Sequence, residues 1–86
     1  MTLRFLRTFL KDYRRLPAQI QQQVDEALRR LAENPRHPSL QVKKIKGTRD
    51  IWEGRVTLGY RFTFNWESDV VTLRRVGTHD ILKKET

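Results

Sequence analysis

The sequence predicts an α+β fold: an N-terminal strand, a two-helix hairpin, then an antiparallel β-meander with the helices on one face of the sheet. Three observations predict it. Ile20, Val24, Ala27, Leu28 and Leu31 recur at the spacing of one helical face. Beyond Ser39 the apolar period falls from 3.6 to 2. Short turns containing Gly59 and Glu67-Ser68-Asp69 then separate three strand-like runs, which suits antiparallel neighbours.

Taken in order, Thr2–Arg7 reads as a short strand with Leu3 and Phe5 on one face. Thr8 is a candidate N-cap for a first helix, in which Phe9, Leu10, Tyr13 and Leu16 keep helical spacing. Pro17 suits the first turn of the second helix. Asn34-Pro35 ends it, since proline disfavours helix at the residue before it. Arg36-His37-Pro38-Ser39 is a loop, with His37 structural. Leu40–Lys46 is an ambiguous extended segment closed by Gly47-Thr48-Arg49-Asp50. Strands follow at Ile51–Thr57, Tyr60–Trp66 and Val70–Val76.

Composition bounds what such a fold does. Eighty-six residues, 37% hydrophobic and 33% charged, make one domain (1–86) with a single modest core. No apolar run approaches the roughly 20 residues needed to span a bilayer. The opening residues lack the long apolar segment of a secretory signal, so a cytoplasmic location is expected and no membrane partner. There is no cysteine. His37 and His79 lack ligand-like spacing, so no metal is expected. Without a nucleotide-cradling glycine loop, no small-molecule cofactor is expected either. The net charge is +8, and it is spread evenly: residues 1–40 carry 8 Lys/Arg against 4 Asp/Glu, residues 41–86 carry 10 against 6. A polyanion or an acidic protein is the natural partner.

Strand alternation gathers the charge. Tyr60, Phe62, Phe64 and Trp66 share one face, together with Trp52, Gly54, Val56, Val71 and Leu73. Glu53, Arg55, Arg61, Thr63 and Arg74 share the other. Arginines grouped on a sheet face suit phosphate, because each guanidinium presents a planar fork of donors. The competing reading is a solvated face whose arginines pair with Glu53 or Asp69. His79 follows a strand end and has the side chain best suited to move a proton near neutral pH. Lys43, Lys44 and Lys46 form a basic run fit for backbone phosphate, or for an edge that discourages strand pairing.

Phe9-Leu10-Lys11-Asp12-Tyr13-Arg14-Arg15-Leu16-Pro17, Gly59-Tyr60-Arg61 and Val76-Gly77-Thr78-His79-Asp80, taken with the order of elements, resemble the RelE/ParE toxin superfamily over about residues 3–83. The resemblance implies a bacterial type II toxin, commonly a ribosome-dependent endoribonuclease neutralised by a cognate antitoxin. It implies mRNA and the ribosome as partners, Arg55 and Arg61 as the strand arginines, and His79 as the C-terminal histidine of the YafQ-like branch. Lys43, Lys44, Lys46 and Arg74 would then contact RNA. RelE-like nucleases carry lysines on the strand that here holds Ile51 and Glu53, and the YafQ-like branch has an aromatic where this chain has Lys83. A ParE-like inhibitor of DNA gyrase that cleaves nothing, or a catalytically attenuated RNA-binding homologue, is the alternative.

Overall fold

In the computed structural model, which describes residues 1–85, the switch of period coincides with the passage from helices to sheet. The elements are β1 (Thr2–Phe5), α1 (Arg7–Arg14), α2 (Ala18–Glu33), a 3-10 turn (Pro38–Leu40), β2 (Lys43–Lys44), β3 (Ile51–Thr57), β4 (Tyr60–Glu67), β5 (Val70–Gly77) and α3 (Ile81–Lys84). The sheet runs in the order β1-β5-β4-β3-β2. β3, β4 and β5 form the antiparallel meander, and β1 joins β5 in parallel with Leu3 beside Val71. The alternating aromatic face is the buried one. Phe62, Phe64, Val71, Leu73 and Val76 pack against Phe9, Val24, Ala27, Leu28 and Leu31 from the helices. Among the described residues no helix is long and apolar enough to cross a membrane.

Thr8 does not cap α1, which begins at Arg7 with Leu6 as its N-cap. The reason lies in the neighbouring strand. β1 ends at Phe5, and α1 takes its place along the edge of β5 that β1 leaves open. Thr8 Oγ1 donates to the Arg74 carbonyl at 2.7 Å. One turn later, Asp12 Oδ2 accepts the Val76 N–H at 3.2 Å, while both its oxygens receive the Arg75 guanidinium at 3.0 and 3.1 Å. A helix thus completes backbone pairing that a strand would otherwise supply. Asp12→Ala leaves a partly buried guanidinium and a backbone donor without partners. It is expected to cost about 2–3 kcal/mol, with Asp12→Asn costing less. Urea unfolding of the two variants beside the native chain checks this.

α2 stops at Glu33, where Asn34 turns extended ahead of Pro35. Asn34 Oδ1 then accepts the Arg36 N–H at 3.0 Å. The Arg36 guanidinium lies 5.0 Å from the Trp66 ring centroid and 5.8 Å from that of Trp52. The two indoles meet edge to face at 5.3 Å. Cation and rings pin the loop to one end of the buried face. His37 is structural as expected: its Nδ1 accepts the Ser39 N–H, capping the 3-10 turn. Between the helices, Tyr13 Oη donates to Asp25 at 2.7 Å. That bond, followed by burial, raises the Tyr13 pKa, since ionisation would set a phenolate beside a carboxylate.

Two features lie outside the sequence expectation. β5 bulges, with Thr63 opposite Arg75 and Phe64 opposite Leu73, so Arg74 is the extra residue. The four-residue α3 folds back over the opposite, arginine-bearing face. A methyl on Gly77, which pairs with Arg61, would lie 2.9 Å from Ile81 Cγ2. Thr63, placed outward by alternation, is fully buried there.

Candidate functional site

The register of β2, β3 and β4 builds the site. Lys43 pairs with Glu53, and Arg55 pairs directly with Arg61. Partner positions in a ladder project to the same side, so all four side chains stand on the outer face. The turn after β5 brings His79 over the same spot. Together with Gln41 these residues line a cleft of about 100 Å³.

The electrostatics of that cleft are unusual. Like charges directly opposite one another on neighbouring strands oppose folding, yet Arg55 and Arg61 hold such positions. Arg61 is 8% exposed. Its Nη1 donates to the carbonyls of Thr57, Leu58 and Tyr60 at 2.6, 3.0 and 3.1 Å. These three acceptors close the β3–β4 turn around the guanidinium and fix its orientation. Arg55 Nε is buried without a hydrogen-bond partner, a condition native structures seldom tolerate away from a function. No ion pair among the described residues involves Glu53 or Asp69. Among the described residues Arg55 and Arg61 therefore have no carboxylate partner, whereas Arg74 is paired with Glu85.

Of the residues singled out in the sequence, Arg55, Arg61, His79 and Lys43 converge here. Lys44 pairs with Trp52 and points to the other side of the sheet, and Lys46 lies in the exposed turn beyond β2. Only two residues of the Leu40–Lys46 segment are strand, so the basic run does not act as one surface. Arg74 is drawn elsewhere. Its Nε donates to Glu85 at 2.8 Å and its Nη1 to Asn65 at 2.8 Å, and it lines a separate cleft with Asn65 and Thr72. The bulge displaces it from the Arg55–Arg61 row. Gln41 was not visible as a site residue. It adopts a left-handed conformation at φ 47°, uncommon for a residue with a Cβ, and no local sequence signal marks it. Among the described residues no group of three or more His, Cys, Asp or Glu is placed to hold a metal ion.

Residues 3–82 match the family model of the ParE toxin of the type II toxin–antitoxin system parDE. The chain belongs to the ParE toxin family. Solved structures agree with that placement. This ParE-family chain is 26% identical to a chain of the intact RelBE toxin–antitoxin complex of E. coli, covering 90% of its own length and 94% of the other, with a TM-score of 0.72. A RelB–RelE antitoxin–toxin complex from Methanococcus jannaschii matches at 24% identity over 94% and 95%, with a TM-score of 0.71. The YoeB/ParE toxin from Agrobacterium tumefaciens matches at 20% identity over 92% and 99%, with a TM-score of 0.76. No curated protein matches the sequence. The ParE-family fold therefore presents, on the face opposite its α1–α2 hairpin, a small cationic cleft with one histidine and one carboxylate.

Proposed function

We propose that this toxin cleaves messenger RNA on the ribosome without a metal ion and is held inactive by a cognate antitoxin. The observation that carries the reading is the Arg55–Arg61 pair, two guanidiniums at cross-strand partner positions in one cleft with His79. An anion between them would relieve their repulsion, and a phosphodiester matches their fork-shaped donors. In RNA the 2′-hydroxyl attacks the adjacent phosphorus, so the protein need only position the strand, stabilise charge and move protons. Arg55 and Arg61 hold the phosphate, Lys43 neutralises the flanking backbone, and His79 exchanges a proton with the reacting oxygens. The antitoxin complexes among the similar structures support the partner.

Induced expression with mapping of message 5′ ends, in the presence and absence of an adjacent antitoxin gene, tests this reading. New 5′ ends within translated messages, lost in His79→Ala and suppressed by the antitoxin, are the expected result. His79→Ala should slow cleavage by about 10²–10⁴-fold, the usual range for a lost acid or base. Growth arrest with intact messages overturns the proposal. The match to a ParE model favours a second reading, inhibition of DNA gyrase. That reading expects DNA damage under the same induction, with messages uncut.

A further inference from the structure

We infer that Glu53 is the general base of the cleft, taking the proton of the attacking 2′-hydroxyl, and that His79 is its complementary acid. This rests on the ribonuclease reading above. Glu53 is 8% exposed, lines the cleft, and makes no ion pair with the cations around it. The groups facing it are Lys43 from β2, Arg55 from its own strand, Arg61 from β4 and His79 from the turn beyond β5. A mostly buried carboxylate normally spends its lone pairs on donors. Here several donors stand within one small cavity and none is bonded to it. An acceptor left open beside two phosphate-binding arginines is what proton abstraction from a bound hydroxyl requires.

The position is consistent with the strand. Glu53 sits two residues before Arg55, so both project to the same side, and Gly54 between them turns its face inward beneath Phe62. His79 enters from a different element, beyond β5. Two proton-transfer groups reaching a phosphate from separate elements suit an in-line displacement, in which attacking and leaving oxygens lie on opposite sides of phosphorus. The step balances without a co-reactant. The 2′-O–H proton passes to the Glu53 carboxylate as the 2′-oxygen bonds to phosphorus. The phosphorus–O5′ bond breaks, and the His79 imidazolium gives its proton to the departing 5′-oxygen. The products are a 2′,3′-cyclic phosphate and a 5′-hydroxyl.

The test measures single-turnover cleavage of a defined message on programmed ribosomes across pH, using the native toxin, Glu53→Gln, Glu53→Asp and His79→Ala. Each is also assayed on a message whose scissile 5′-oxygen is replaced by sulfur, a leaving group that needs no acid. Glu53→Gln is expected to fall by at least about 10²-fold, to lose the acidic limb of the pH profile, and to stay slow on the sulfur substrate. Glu53→Asp should recover part of the rate, and His79→Ala should be rescued by sulfur. Glu53→Gln cleaving at the native rate with the native profile overturns the assignment while leaving the ribonuclease reading intact. Sulfur rescue of Glu53→Gln also overturns it, by making Glu53 the acid. A native toxin that cuts no message on ribosomes removes both. Near-ultraviolet circular dichroism and antitoxin capture confirm that each variant is folded. If Glu53→Gln does not fold, a native profile without an acidic limb overturns the inference.

Discussion

Arg61→Ala is expected to abolish toxicity and to loosen the β3–β4 turn in one stroke. Nη1 gathers the carbonyls of Thr57, Leu58 and Tyr60. Among the described residues Nε and Nη2 have no hydrogen-bond partner. Losing charge stabilisation at a reacting phosphate costs about 10²–10³ in rate, by analogy with a single oxyanion donor. Losing charged bonds to carbonyls adds roughly 2 kcal/mol of instability. Arg61→Lys separates the two. A lysine keeps the charge but cannot hold the turn with one nitrogen and present a fork with the others, so cleavage should stay at least about tenfold down. Message cleavage and denaturant unfolding measured on both variants decide. Native cleavage by Arg61→Ala would remove the arginine from the chemistry.

Gly54→Ala is expected to be the most destabilising conservative change in the sheet. Gly54 pairs with Phe62, and the tip of the ring occupies the space a Cβ would need. A methyl there would fall 2.7 and 2.8 Å from Cε1 and Cε2 of a residue that is 0% exposed. Neither partner has room to yield, because Phe62 also stacks on Phe64 at 5.6 Å. Overpacking of this kind costs about 3 kcal/mol, which in a domain of this size lowers the melting temperature by roughly 10–20 °C. The double variant Gly54→Ala/Phe62→Leu should recover part of the loss, since the two sites share one contact. Thermal unfolding checks both, and a shift of only a degree or two would mean that the ring slides aside freely.

The fold was legible wherever a pattern repeats. α2 shows its face three times over, and β3, β4 and β5 alternate cleanly between short turns, so type and order followed from local spacing. The inner face followed from the aromatics of β4. What escaped is single-copy and long-range. α3 is four residues long and has no period to read. The bulge at Arg74 shows only when β4 and β5 are set side by side. Thr8 looked like a cap because hydroxyls usually serve the nearest free N–H, but β5, some 66 residues away, supplied a better partner. The site was half legible for the same reason. Alternation placed Arg55, Arg61 and Glu53 on one face, but could not place His79 over them, withdraw Arg74 toward Glu85, or bring in Gln41.

The strand order has a consequence for how the toxin comes into being. β5 is the last strand made, yet it lies between β1, the first, and β4. β1 has no other neighbour in the sheet, and α1 takes its edge bonds from the same late residues. During synthesis the N-terminal strand therefore has nothing to pair with until Val70–Leu73 have left the ribosome, and the cleft waits longer still for His79. A chain interrupted before Val70 has neither a closed sheet nor a complete cleft, so fold and site both form late in synthesis.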